Sequence, residues 1–252
     1  MKKEKIISFF RISLSLVYGE TGSYDRWRWI NKNIPKKKKR IKAVDLGCGR
    51  GTYVIGLSRK GYNCDGVSHD KQDMIDANKR RKKFGLKNCS FRQVDLRKLD
   101  EEVQMKSKYD VVVCSEVIEH IVDDEKLLKD ISEILKKGGV LLLNTPYDED
   151  AHNNREPWRK EEDGAHVRAG YNERVILRMC KENGLKLEKV GYCTGILSKK
   201  ANELMLKISE KNYVTGRVLI VPIKIIYPLF DGLFTRLSGA KYQSICVLAR
   251  KK

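Results

Sequence analysis

Val44-Asp45-Leu46-Gly47-Cys48-Gly49-Arg50-Gly51 is the stretch on which the reading of this chain turns. Ile41–Leu46 reads as a strand, and glycines end it at once. Glycines there let the backbone turn tightly and approach a ligand with no Cβ in the way. The loop alone is weak evidence, since dinucleotide-binding loops share a G-x-G-x-x-G pattern. Two features separate it from them. Thr52 stands where a third such glycine would be, and Asp45 lies two residues before the first glycine. A carboxylate at that point disfavours a pyrophosphate and suits an ammonium or sulfonium group.

Outward from this loop, short apolar runs alternate with helical patterns. Tyr62–Val67, Ser90–Val94, Tyr109–Cys114, Val140–Asn144 and Leu185–Cys193 read as further strands, and Tyr242–Ala249 as a last one. Between Glu125 and Lys137 the residues Leu127, Leu128, Ile131, Ile134 and Leu135 recur at helical spacing. Gly138 and Gly139 are expected to stop that helix, and Gly184 to stop another over Glu173–Asn183. Alternating strands and helices imply parallel βαβ units in an open, doubly wound sheet, whose ligands bind at the strands' carboxyl ends.

The 252 residues suffice for one sizeable core and a small lobe. Seven cysteines, an odd number with no C-x-x-C pair, read as buried reduced thiols and not as disulfides or zinc ligands. The opening MKKEKIISFFRISLSLVYG has the charged front of a signal peptide, but Arg11 splits its apolar part and no clean cleavage site follows. A cytoplasmic protein is the expectation, with the inner face of the membrane as a possible station. Charge is concentrated at the flanks: residues 1–42 carry 13 basic against 3 acidic side chains, and 196–252 carry 11 against 3. Residues 43–195 are balanced at 28 against 27. Such flanks suggest an anionic partner, although solvated lysine-rich surfaces would look the same.

The loop resembles the first motif of the class I S-adenosylmethionine-dependent methyltransferases, of the form (V/L)-(D/E)-x-G-x-G-x-G. Tyr109–His120 (YDVVVCSEVIEH) is similar to the family's fourth strand with its Glu-His motif. Leu135–Pro146 (LKKGGVLLLNTP) is similar to its fifth-strand segment, with Lys137 where proline is usual. Gly164–Arg168 (GAHVR) resembles a substrate-side segment of the type 11 methyltransferases. The resemblance implies a Rossmann-like, mostly parallel seven-stranded α/β sheet with an antiparallel last strand and a helical lobe before that strand. Around the methyltransferase domain that it implies over 41–195, closed by 241–252, charge and apolar pattern add an N-terminal helical basic flank over 1–40 and a helical apolar and basic insertion over 196–240. The resemblance also implies S-adenosylmethionine as cofactor. Asp45, Gly47, Cys48, Gly49 and Gly51 would hold the methionine part, Asp95 would face the adenine, and Cys114 and Glu116 would border the methionine or the reactive side. One departure stands out: Ser68 ends the second strand where the family has an acid for the ribose. Asp70 would either take over that task or cap the next helix.

For the acceptor, His120 and His166 are the candidate bases. Glu116, Glu119 and His120, at i, i+3 and i+4, would share a helix face and suit a divalent metal, but loop positioning alone explains them as well, so no metal is assigned. Arg168 would hold an acidic group of the acceptor, and Tyr147, His152 and Trp158 are weaker pocket candidates. The acceptor is expected to be a small or lipid-linked molecule, methylated on oxygen. The alternative is RNA, drawn by the basic flanks, but no N/D-P-P-Y motif follows the fourth strand and no RNA-binding module is evident. Val218–Leu237 is strongly apolar yet interrupted by Pro222, Lys224, Pro228 and Asp231. Residues 216–237 would lie in a membrane interface as short kinked helices, or cap the core or a second subunit.

Overall fold

The computed structural model describes residue 16, residues 19–36, 41–151 and 157–252. Most of the opening segment over residues 1–19, residues 37–40 of the lysine tract and His152 lie outside the described residues. The chain divides into two compact units, Asn33–Gly191 with Ile245–Lys252 and Met1–Lys32 with Tyr192–Ser244.

In the first unit β1 (Lys42–Leu46) pairs in parallel with β2 (Asn63–Ser68) on one side and β4 (Tyr109–Ser115) on the other. β2 goes on to β3 (Cys89–Gln93), and β4 to β5 (Leu135–Pro146), again in parallel. With β6 (Leu185–Cys193) and β7 (Ser244–Lys251) the sheet is seven-stranded, in the order β3-β2-β1-β4-β5-β7-β6, and closes on an antiparallel last strand. The chain winds outward from β1 to β3, then returns to β4 beside β1. That reversal opens a crevice at the carboxyl ends of β1 and β4, where ligands of such sheets sit.

The central strands are apolar on both faces because helices cover both. Val44, Leu46, Val112, Leu141, Ile245 and Val247 are buried in one continuous core. α1 (Thr21–Asn33) belongs to the other unit; in this one α2 (Thr52–Arg59), α3 (Lys71–Lys83), α4 (Asp124–Ile134) and α5 (Glu173–Glu182) fill the crossovers. On α4, Leu127, Leu128, Ile131 and Ile134 are buried, each contributing about 1.5–3 kcal/mol of hydrophobic free energy. Asp70, Asp123 and Asn172 cap α3, α4 and α5 through their side chains. All seven cysteines are free, and only Cys193 is not fully buried.

α4 ends sooner than the glycine pair suggested. Leu135 joins the sheet opposite Tyr109, and Val140 is the next partner, opposite Val111. Lys136–Gly139 bulge between them, with Gly138 left-handed at φ 76°. Gly138 and Gly139 thus shape the sheet's entry and do not stop a helix.

The second unit gathers α1 with α6 (Ile196–Lys211), α7 (Tyr213–Ile226), a short turn over Tyr227–Leu229 and α8 (Asp231–Leu237). Its interior joins a small apolar cluster, Ala201, Met205, Ile220 and Tyr227, to a set of buried polar groups. Asp231 accepts from the backbone N–H of Gly195, Leu197 and Ser198, so it caps α6 from afar. Thr235 Oγ1 accepts from Ile196 N at 3.0 Å. Asp25 accepts from Ser198 Oγ at 2.5 Å and Tyr227 OH at 2.8 Å, and burial pushes its carboxyl up to about 6. The Lys224 ammonium is fully buried and donates to the carbonyls of Leu16 and Gly19. Lys224 and Asp231 therefore tie the lobe together where the sequence showed only interruptions of an apolar run.

Asp231→Ala leaves three buried helix-end donors unmet and is expected to cost about 2–3 kcal/mol. Denaturant melts followed by helical circular dichroism check this, with Asp231→Asn, which keeps an acceptor oxygen, costing less.

Candidate functional site

The loop after β1 is left-handed at Gly47, Gly49 and Gly51, with φ of 70°, 48° and 76°. A Cβ on Gly47 would stand 2.4 Å from Val117, and one on Gly51 would stand 2.6 Å from the Phe91 ring. Those glycines are demanded twice, by conformation and by packing. Gly49 meets only Asp73 Oδ2, at 3.7 Å, and opens onto a cavity of about 440 Å³. Gly51 precedes α2 without a side-chain cap, and the start of a helix is where backbone N–H groups meet an anion. Just behind the loop, Asp45 is 2% exposed, and its Oδ2 has no hydrogen-bond partner among the described residues. Burial pushes this carboxyl up to about 8. A cation beside it would restore its charge and fill the open valence. Carboxylate and helix-start donors together match the ammonium and carboxylate of an amino-acid tail.

Gly47, Gly49, Ser68, Asp95, Glu116 and His120 all line the cavity. Other expected ligands lie elsewhere. Asp70 accepts from Asp73 N at 2.7 Å, so its carboxylate serves as the cap of α3. Cys114 is fully buried in the core, and Cys48 turns its thiol to the Gly49 carbonyl at 3.5 Å. Asp95 accepts from Arg97 Nε at 2.8 Å and from a second guanidinium nitrogen at 2.6 Å, and this pair holds its carboxyl below the usual range. Ser68 Oγ accepts from Asp70 N at 3.4 Å, keeping its own proton for a ligand. His69, Asp73, Arg97, Glu162 and Asp163 line the cavity without having been singled out in the sequence. His69 could have been found as the residue after Ser68 at a strand's end; Glu162 could not, because it comes from a distant loop.

The far wall begins at Glu116, a non-glycine residue at φ 54°, directly after β4. Strain of this kind persists only where the surroundings fix it. Here Glu116 N donates to Asn144 O at 2.8 Å. The following turn, Ile118–His120, is 3-10 and not α-helical, so Glu116 does not share a face with Glu119 and His120 as expected. His166 takes the third place instead. Glu119, His120 and His166 bring their donor atoms within 4.8 Å of one another. Glu119 is fully buried and accepts from Thr145 Oγ1 at 3.0 Å. The two imidazoles meet edge to face, centroids 4.6 Å apart. Burial, with His120 beside it, lowers the pKa of His166. Backbone bonds from Val167 N to Glu119 O and from Trp158 N to Val167 O hold His166 there. Trp158 itself is 63% exposed, its indole N–H on the His166 carbonyl, and Tyr147 is half-buried in a bridge to Tyr171.

Arg168 departs from its expected role as an acceptor anchor. It is 4% exposed and donates to the carbonyls of Ile118, Ile121 and Val122, with Asp124 at 3.2 Å. Tyr171 OH reaches Asp124 at 2.8 Å. The guanidinium is thus spent on shaping the wall that carries His120.

Two stability measurements follow. Arg168→Ala strands Asp124 and several carbonyls, and is expected to cost about 3 kcal/mol or more in a denaturant melt. For Asp45 the folded value lies above the unfolded one, so its favourable contribution is present below about pH 4 and lost as pH rises through about 8. Asp45→Asn removes that loss. Thermal melts of the ligand-free protein are expected to show the variant several degrees more stable at pH 7–8, the gap closing toward pH 4.

The family described as "Methyltransferase domain" matches residues 37–200. A Pelagibacter ubique protein named ubiquinone biosynthesis O-methyltransferase is 31% identical over 130 residues, covering 48% of this chain and 52% of that one. The chain spans about half the length of the curated relatives it matches. Among solved structures, a Galdieria sulphuraria protein described as a sarcosine dimethylglycine methyltransferase superposes with a TM-score of 0.66 at 16% identity, over 99% of this chain and 98% of that one. Haemonchus contortus phosphoethanolamine N-methyltransferase 2, solved with S-adenosyl-L-methionine, superposes with a TM-score of 0.62 at 17% identity, over 93% and 54% of the two chains. With the glycine loop, the buried acid and the strand order in place, the chain belongs to the methyltransferase domain family, on the class I S-adenosylmethionine-dependent fold.

Proposed function

We propose that this protein methylates an oxygen of a small or lipid-linked acceptor, with His166 and His120 taking the acceptor's proton. The observation that carries this is the edge-to-face imidazole pair beside the cavity, with His166 held toward its neutral form. When bound, S-adenosylmethionine supplies a methyl group on a positively charged sulfur, already activated for displacement. The protein's task is then alignment and proton removal. Asp45 and the N-terminus of α2 would fix the amino-acid tail, and Ser68 would donate to or accept from a ribose hydroxyl. An acceptor hydroxyl next to the imidazoles would lose its proton to a ring nitrogen as its oxygen takes the methyl group. Glu119, buried behind His120, would favour the imidazolium so formed. The curated relatives named for O-methylation support an oxygen acceptor, and none of the relatives named above supports RNA.

The test offers tritiated S-adenosylmethionine with a panel of phenols and a panel of amines. Label is expected on phenols. His120→Ala and His166→Ala are each expected to lower kcat about 10²–10⁴-fold with cofactor affinity unchanged. Protonation stops a base, and the His166 value is depressed, so the acid limb should lie below the ordinary 6.5. Full turnover in both variants, or label confined to amines, would refute the assignment. Activity is expected to survive chelator treatment. Loss on chelation, restored by a divalent cation, would transfer the role of Glu119, His120 and His166 to metal binding.

A further inference from the structure

The end of the helical lobe is built inside out. From residue 219 to 237 the inward positions include Lys224, Tyr227, Asp231 and Thr235, all buried. The outward positions include Leu219, Ile223, Ile226, Phe230, Leu233 and Leu237, from 37% exposed at Ile223 to 76% at Leu237, with Ile225, Leu229 and Phe234 exposed beside them. They run from α7 through the Tyr227–Leu229 turn into α8, so two short helices in succession turn apolar side chains outward. Water selects the opposite arrangement, with charges out and leucines in. A contiguous apolar face of this kind marks a site of association. The inward polar groups are satisfied by Leu16, Gly19, Asp25 and the start of α6, so the inversion is built in and is not a misplaced register.

Charge tells what the face meets. Between residues 211 and 243 every exposed charge among the described side chains is positive: Lys211, Arg236 and Lys241. The exposed acids of the lobe from residue 196 on, Glu203 and Glu210, lie on α6 among Lys199, Lys200 and Lys207. A two-fold pairing of this face with a second copy would set a cationic rim against itself. No helix among the described residues is long and apolar enough to cross a membrane.

We propose that the outward face of Leu219–Leu237 seats the protein on an anionic lipid surface. Its apolar side chains enter the boundary between headgroups and acyl chains, and Lys211, Arg236 and Lys241 meet the headgroups. This surface goes beyond the methyl-transfer site and does not depend on the acceptor assigned there.

The experiment is co-sedimentation of the full chain with phosphatidylcholine vesicles, with and without phosphatidylglycerol. Binding is expected to the mixed vesicles, weakening as salt rises, and to be slight on phosphatidylcholine alone. Phe230→Glu and Leu233→Glu, at exposed positions, are each expected to lower binding at least about tenfold with unchanged circular dichroism. Arg236→Glu with Lys241→Glu is expected to lower binding to the anionic vesicles by about tenfold or more and to remove their advantage. Leu177→Glu, an exposed apolar position on α5, serves as the control that should bind as before. Equal binding by all variants, or none by the unaltered chain at low salt, overturns the proposal. So does a dimer in light scattering that Phe230→Glu dissociates while vesicles stay unbound; the face would then join copies of this chain. No arm requires methyl transfer, so a failure here leaves the reading of the active site untouched.

Discussion

A buried carboxylate set against a left-handed glycine loop is the constraint on which the site depends. Asp45 lies near the end of a central strand, 2% exposed, and among the described residues no partner answers its Oδ2. The fold tolerates this because the loop after it cannot fill the space. Gly47 and Gly51 are packed too tightly against Val117 and Phe91 to carry side chains, and Gly49 faces the opening. A cation beside Asp45 would offset the burial that raises its carboxyl.

The two walls of the cavity are made by different means. On the β1 side the parallel sheet does the positioning: Gly47 and Ser68 end adjacent strands whose register is continuous from Lys42–Asn63 to Leu46–Val67. On the β4 side a strained Glu116, a short 3-10 turn and the buried Arg168–Asp124–Tyr171 cluster place His120, while the loop around residues 157–168 brings in His166. The first wall suits a constant ligand and the second can vary with the acceptor, since loops on a fixed scaffold tolerate change. In the lobe, Asp25, Lys224 and Asp231 are buried among their partners while apolar side chains from Leu219 to Leu237 face outward.

The sheet and the glycine loop were legible in the sequence because both rest on local requirements, a run of β-branched residues and a backbone that only glycine adopts. Ser68, Asp95 and Glu116 were legible for a related reason, since they end strands or follow them within two residues, and His120 lies in the turn after β4. What escaped depends on distant partners. An arginine in a polar stretch looks the same whether it meets solvent or, like Arg168, a set of buried carbonyls. Lys224 and Asp231 read as flaws in an apolar run because the groups they bind, at Leu16, Gly19 and Gly195–Ser198, are far away in sequence. Spacing also misled at Glu116, where i, i+3, i+4 presumed a helix that the positive φ forbids.

Isothermal titration with S-adenosylmethionine near pH 7, repeated in buffers of different ionisation enthalpy, tests the central claim most directly. Asp45, largely protonated when the site is empty, must ionise to receive the ligand's ammonium. Binding should therefore release a proton, and Asp45→Asn should abolish the release and weaken affinity at least about tenfold. Equal affinity in the variant, with a binding enthalpy of the unaltered chain that is the same in every buffer and so shows no proton released, would contradict the account.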